Sequence, residues 1–483
     1  MADISNLVNS VKGDVVTEDQ PSYPAAIARW AKNAERKAKV VVFVKSAEDV
    51  AASIAYAKEN KLPFAIRGGG HNAASASSVT GGLVVDLSRY LNTVRIDADA
   101  KLGYVGGGAL WRDVDAEAIK FGLAGVGGTV NHTGVGGLSL GGGFGWLSGR
   151  HGMVVDNIRQ VTIVTADGSI LTANETEHPD LFWGIRGGGS NFGVVTEFVY
   201  QLHPQSKTVY AGPVVYTPDK VEKIVELTKT WLSKRTADEC MIQAATIQNG
   251  FPAFVLFLFY NGSEAEGRQT YKEFLDIEHV FDGAKEIPYE QLNGLQNAMV
   301  DHGRCYYLKG TTQKTPNVTS MSDILVKLAQ GAQEGHFAPA ALHEYFNLDK
   351  VNTVSDSVTA FRRGLDPGVL IVLSWDSDVS AEKTDKARAF ANEIVEIVAR
   401  GQDGQASSYS NYETDAAGGS NGDRVIEDSE SPASSVEGNS KWPADFDAKA
   451  KAGFGPNYPR LQKVKKQYDP ELFFNRWYPI SPA

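Results

Sequence analysis

The sequence predicts an α+β fold, on three observations. Short apolar runs of strand character alternate irregularly with segments of helical spacing. Two of the runs flank a turn signal and read as a hairpin. Glycine gathers between elements rather than spreading along the chain: 28 of the 49 glycines fall between residues 68 and 193. Clustered glycines let backbone approach a ligand where a side chain would block it. They point to one large, flat or phosphate-bearing ligand wrapped by several loops.

From the N-terminus, residues 25–34 and 47–60 read as helices, the second from its apolar spacing. Residues 40–44, 62–66, 82–87, 94–97 and 103–106 read as strands. A helix over 111–121 opens with Trp111 and closes before Gly122. The hairpin pairs 161–165 with 170–173 around Ala166-Asp167-Gly168, and 194–200 is a further strand. His203-Pro204 marks a domain junction. Beyond it, helices are expected at 218–235, 264–276, 319–332 and 380–400, and strands at 252–260, 339–346 and 368–374. Residues 413–441 are acidic, rich in Ser, Gly and Asp and poor in apolar side chains, so they read as a flexible surface insertion. Aromatic and apolar content returns in 458–478. The expected division is 1–205, 206–440 and a C-terminal return over 441–483.

The 483 residues are 42% hydrophobic and 22% charged, ample for a globular core. A net charge of -11 disfavours nucleic acid or an anionic membrane as the main partner. Cys240 and Cys305 are too few for a thiolate metal cluster or a disulfide framework; they form one disulfide or, as expected here, stay as two buried thiols. The first residues show no basic region followed by an apolar core, and no run of about 20 apolar residues occurs, so a cytoplasmic or otherwise intracellular protein is expected.

Generic signatures mostly fail. No strict G-x-G-x-x-G and no G-x-x-x-x-G-K-[ST] occurs, which argues against Rossmann and P-loop folds. Gly137-Leu138-Ser139-Leu140-Gly141 matches the G-x-S-x-G of serine hydrolases, but it sits inside a glycine run without the strand that this elbow needs. His343-Glu344 lacks the second histidine of H-E-x-x-H, and no metal site is expected. Clustered backbone N–H groups around Gly134–Gly145 suit a pyrophosphate without any basic side chain.

The tract Arg67-Gly68-Gly69-Gly70-His71-Asn72 closely resembles the flavin-attachment segment of the berberine bridge enzyme-like flavoproteins, within the vanillyl-alcohol oxidase and p-cresol methylhydroxylase superfamily. Further resemblances lie in the glycine run from Gly134 to Leu147, in Arg186 to Val195, and in Tyr458, Tyr468-Asp469-Pro470, Phe473 and Asn475. The resemblance implies FAD in a two-part domain of the p-cresol methylhydroxylase type, with a central substrate domain whose antiparallel sheet is covered by helices. It implies cofactor contacts from Arg67, Gly68, Gly69, Gly70, His71, Asn72, Val130, Thr133, Gly134, Gly136 and Gly137. Gly141, Gly142, Gly143, Gly145, Asn191, Gly193, Val195 and Asn475 complete that set.

It further implies a covalent bond from His71 to the flavin 8α-carbon. Many members add a cysteine thioether; Val130 stands there, so attachment through His71 alone is expected. Thr133 occupies the position tied to oxygen access and is shaped like valine, which favours oxygen as acceptor and hydrogen peroxide as product. The glutamate that some members carry on a strand before Ser-Trp is missing from residues 368–375. Tyr409-Ser410-Asn411-Tyr412 matches a tyrosine-bearing alternative, so Tyr409 is the expected base, with Tyr412 or Tyr307 as substitutes. A phenol titrates near 10, so a phenolate needs a nearby cation, and Lys309 is the candidate. His132, Glu344 and Asn347 are further pocket candidates, while His151, His178 and His203 read as structural. The expected reaction is hydride transfer from a hydroxyl- or amine-bearing carbon of a small alcohol, sugar, alkaloid or polyketide-like metabolite. A dehydrogenase with another acceptor, or a redox-silent binding or cyclising protein, stays open.

Overall fold

A computed structural model of the chain describes residues 4–334, 337–400, 402, 409–416 and 447–483. Most of the expected insertion at 413–441 lies outside the described residues.

The chain is α+β, with three principal sheets. The first runs in the order Asp14–Thr17, Val40–Phe43, Leu83–Asp86, Phe64–Arg67. Its last three strands are parallel, which requires a crossover, and the helix Ala47–Glu59 supplies it between Val40–Phe43 and Phe64–Arg67. That helix starts where Ser46 accepts from the Asp49 amide. Strand Phe64–Arg67 ends at the glycine tract, so the parallel sheet delivers residues 68–72 to the centre of the molecule. A second, five-stranded antiparallel sheet carries the expected hairpin, Ile158–Val164 with Ile170–Asn174.

The third sheet is the largest, eight-stranded and antiparallel. It holds the expected strands Phe251–Tyr260, Ala338–Tyr345 and Gly368–Trp375. It also holds Thr208–Tyr216, Glu239–Gln248 and Cys305–Thr312, which the sequence patterns do not mark. Glu239–Gln248 contains Ala and Gln where β-branched residues are usual, but it is paired on both sides and almost wholly buried. One face of the sheet carries the helices Val221–Leu232, Val318–Gln333 and Ala381–Ala399, whose buried residues form one apolar core with that face. The other face joins a larger core shared with the glycine-rich loops.

Two local expectations change. Residues 25–34 form only the short helix Tyr23–Ile27 and the single turn Lys32–Ala34. Ala28 is extended between them, and the Trp30 amide donates to the Gly70 carbonyl instead of to a helical acceptor. The glycine run, in contrast, contains a helix, Val135–Leu140. Ser139 lies inside it with its hydroxyl bonded to Tyr200, which is no place for a nucleophile.

The C-terminal helix Tyr458–Tyr468 returns to the first section of the chain. Its Lys465 is fully buried and donates to the Asn191 and Phe474 carbonyls and to Asp469. The two cysteines are free and buried. Among the described residues no helix is long and apolar enough to cross a membrane.

Candidate active site

A single cavity brings together the glycine tracts, the inner face of the large sheet and the segment after Tyr409. Its glycine side is built by backbone contacts that no side chain would tolerate. A Cβ on Gly69 would meet Gly134 backbone at 2.5 Å, and one on Gly68 would meet the Gly107 carbonyl at 2.9 Å. Gly137 differs: a Cβ there would meet nothing within 4 Å.

No described residue accepts a hydrogen bond from the backbone N–H groups of Gly68 through Asn72. Gly136 and Gly137, in the first turn of Val135–Leu140, line the same cavity with amides that have no intrahelical acceptor, whereas the Val135 amide donates to the Ala109 carbonyl. The Ser77 hydroxyl, also on the wall, is buried without a partner. No Lys or Arg is among the described lining residues. A row of free amides and an orphan hydroxyl suits a pyrophosphate held by main chain. The residues therefore fit a dinucleotide with a flat ring.

His71 lines this cavity. Trp30 stacks on it at 4.1 Å, and Tyr306 stacks on the other face of Trp30 at 4.0 Å. His71 Nε2 lies 3.1 Å from His132 Nδ1, while His71 Nδ1 meets no other described residue at hydrogen-bond distance. Burial, aided by the neighbouring His132 and His302, pushes His71 down to about 3. It is therefore neutral and nucleophilic at neutral pH.

The opposite wall comes from alternate residues of three adjacent strands, because side chains on a strand point to opposite faces in turn. Leu308, Leu342, Leu370 and Val372 face the cavity and make that wall aliphatic. Glu344 is the only carboxylate among the described lining residues. It sits on Ala338–Tyr345 directly across from Gly368, the first residue of the apolar strand over 368–375. Its Oε1 accepts from the Tyr412 hydroxyl at 2.9 Å, and its Oε2 is buried without a partner. Burial raises its carboxyl to about 8, against the opposing pull of Tyr412.

The expected base, Tyr409, is in the cavity but poorly suited to that task. Burial raises its phenol further above its ordinary value, and no cation offsets this. Its oxygen accepts from the Gly143 amide and from Asn411 Nδ2, both at 2.8 Å, leaving its own proton to donate. Tyr412 is likewise pushed up by burial and by Glu344.

Tyr307 and Lys309 belong elsewhere. They alternate with Leu308 and point to the helix-covered face, where Tyr307 donates to Asp415 and Lys309 pairs with Glu413. Asn347 bonds Thr236 and the Asp349 amide and does not line the cavity. His132 lies beside His71, whereas His151 and His203 stack on one another at 3.6 Å and His178 bonds the Thr172 carbonyl.

The expected cofactor residues divide similarly. Gly68, Gly69, Gly70, His71, Asn72, Val130, Thr133, Gly134, Gly136, Gly137, Gly141, Gly193 and Val195 line the cavity. Arg67 instead pairs with the buried Asp86. Gly142, Gly143 and Gly145 are needed for packing, against Phe361, Val154 and the Gly127 carbonyl. Asn191 ties the Gly188 carbonyl to those of Trp477 and Tyr478, and Asn475 bonds Leu472. Sequence reading missed Trp30, Ser77 and Asn411; only Asn411 carried a signal, inside the Tyr409–Tyr412 motif. Neither cysteine reaches the cavity. No cluster of three metal-ligating side chains occurs among the described residues.

Two family profiles match: one described as FAD binding domain over residues 38–174, and one described as berberine and berberine like over residues 408–480. FAD-linked oxidoreductase pgmH of Aspergillus terreus is 31% identical over 505 aligned residues, covering 100% of this chain and 96% of the relative. Among solved structures, 6-hydroxy-D-nicotine oxidase of Arthrobacter nicotinovorans superposes with a TM-score of 0.83 at 25% identity, covering 98% of this chain and 99% of that one. Xylooligosaccharide oxidase of Myceliophthora thermophila has the same fold, with a TM-score of 0.79 at 22% identity and 99% of both chains covered.

Proposed function

The chain belongs to the berberine bridge enzyme-like FAD-linked oxidoreductases, and from that premise we propose that it is an oxidase of small, largely apolar alcohols or amines. The observation that carries this reading is the pairing of one raised carboxylate, Glu344, with an aliphatic wall. Held by the glycine tracts and His71, FAD would supply a two-electron acceptor for a substrate hydride that dioxygen could reoxidise, with hydrogen peroxide as product. The residues of the chain do the rest. Glu344 Oε2 takes the proton of the substrate hydroxyl or amine, Tyr412 holds that carboxylate in place, and Tyr409 donates to the substrate. Leu308, Leu342, Leu370 and Val372 exclude water. They offer an oligosaccharide no partners for its many hydroxyls, and burying such groups unpaired costs about 1–3 kcal/mol each.

Anaerobic mixing with a panel of benzylic and allylic secondary alcohols and amines is expected to bleach the flavin, while xylobiose is not. Admitting air to the reduced protein restores the colour and yields one peroxide per flavin. Slow return in air, with fast return on a quinone, would instead identify a dehydrogenase. Thr133 lines the cavity, and Thr133→Leu is expected to slow the return in air while leaving bleaching unchanged.

The flavin is covalently held through His71 alone, since Val130 supplies no sulfur and both thiols lie outside the cavity. Acid precipitation is expected to keep the yellow colour with the polypeptide, and His71→Ala to release it. An intracellular setting remains part of this proposal, and fractionation of the source cells tests it.

A further inference from the structure

We propose that Arg29 is the counter-charge of the cofactor's pyrophosphate, a positioning residue seated one layer behind the cavity wall and acting through Ser77. This rests on the dinucleotide reading of the cavity. Arg29 is only 5% exposed. Buried charges are almost always paired, because leaving water without a partner of opposite sign is costly. Arg29 has no such partner among the described residues. Its Nε and Nη2 donate to the Ser77 carbonyl at 3.0 and 2.7 Å, and its Nη1 to the Ala26 and Ala28 carbonyls at 3.3 and 2.8 Å.

The charges around it do not supply one. Those facing Arg29 are Arg67, Asp86 and Glu35. Asp86 is taken by Arg67 at 2.7 Å, and Glu35 by Lys32 at 2.7 Å. Glu35 Oε1 meets only the backbone amide of Arg29, at 3.3 Å. One positive charge is left over behind the glycine tract. Burial, aided by Arg67, pulls Arg29 down to about 10, so it still carries its proton at neutral pH.

The fold places that charge beside unused donors. Extended Ala28 ends the helix Tyr23–Ile27, and of the next two residues Trp30 lines the cavity while Arg29 lies behind it. A Cβ on Gly70 would sit 3.3 Å from Arg29 Cδ, so the arginine packs directly under the tract. The loop from Asn72 to Ser78 is cinched by Asn72 Oδ1 on the Ala76 amide and by the Ser75 carbonyl on the Ser78 amide. Arg29 clamps this loop through the Ser77 carbonyl. Ser77 itself lines the cavity, with its hydroxyl buried without a partner and its amide accepted by no described residue. A phosphate oxygen is the acceptor that both donors lack, and its charge is the one that Arg29 lacks. The wall thus holds an anion by main chain and hydroxyl, with the compensating cation out of the ligand's way.

The test is equilibrium binding, read by flavin fluorescence in full-length His71→Ala protein stripped of flavin. FAD is titrated against riboflavin, which carries the ring without the phosphates. Adding Arg29→Gln keeps a donor for the Ser77 carbonyl but removes the charge. It is expected to weaken FAD about ten- to a hundredfold, the range of one partly screened charge, and to leave riboflavin unchanged. Adding Arg29→Lys instead should keep part of the FAD affinity that the glutamine loses. The parent supplies a second reading that needs no change at Arg29. The chain's net charge of -11 by itself repels a phosphate, so without a local cation salt would tighten FAD. Salt is expected to weaken FAD in the parent, and to do so less in Arg29→Gln. FAD affinity unchanged by Arg29→Gln, an equal loss of riboflavin, or tightening of FAD by salt in the parent overturns the counter-charge while sparing the dinucleotide reading. A parent that binds riboflavin as tightly as FAD overturns both.

Discussion

Glu344→Gln is expected to lower the rate of anaerobic flavin reduction about 10²–10⁴-fold, the usual contribution of a positioned general base. Glutamine keeps an oxygen for the Tyr412 hydroxyl, so the pocket keeps its shape while losing its proton acceptor. Only the carboxylate form accepts a proton. Burial raises this group to about 8, so wild-type reduction is expected to climb as pH rises through that value and then level off. In Glu344→Gln that limb disappears. Stopped-flow reduction across pH measures both effects, and an unchanged limb in the variant would move the base elsewhere. Tyr409→Phe removes a donor rather than a base, and should lower the rate without shifting the limb.

Lys465→Met is expected to destabilise the protein by about 3–5 kcal/mol, because it strands a buried carboxylate. Both side chains of the Lys465–Asp469 pair are fully buried. Asp469 also accepts from the Phe473 and Phe474 amides, so it stays put when its cation goes. Two carbonyls, those of Asn191 and Phe474, lose their donor as well. Urea titration of the folded state reads the loss. Replacing both partners together, as Lys465→Met with Asp469→Leu, should recover part of it, since no bare charge is then buried.

Much of this was legible in the sequence. The tract at 67–72 announces its role because glycines are demanded by close backbone approach, as Gly69 against Gly134 shows at 2.5 Å. The cofactor side is therefore written in consecutive residues. The substrate side is not. Its wall takes every second residue from strands far apart in sequence, so Leu308 faces the cavity while Tyr307 and Lys309 face the helices. A one-residue step in parity decides this, and no local pattern in 305–312 reveals it. Glu344 is a pocket candidate in the sequence, but its reading as the base escapes for a related reason. The motif looks for a carboxylate on the strand before Ser374-Trp375, whereas it is supplied by the neighbouring strand, opposite Gly368. The sequence marks His71 and His132 separately, whereas their contact at 3.1 Å forms only after folding.

The two-faced construction of the large sheet has a bearing on how such enzymes diversify. Tyr307, Ile371 and Tyr345 anchor folding on the side away from the ligand. Leu308, Leu342, Leu370 and Val372 can be exchanged with little claim on that anchor. New preferences are thus open to single-residue drift at four neighbouring sites, while a one-residue insertion within 338–343 would turn the acid inside out and abolish the chemistry at a stroke.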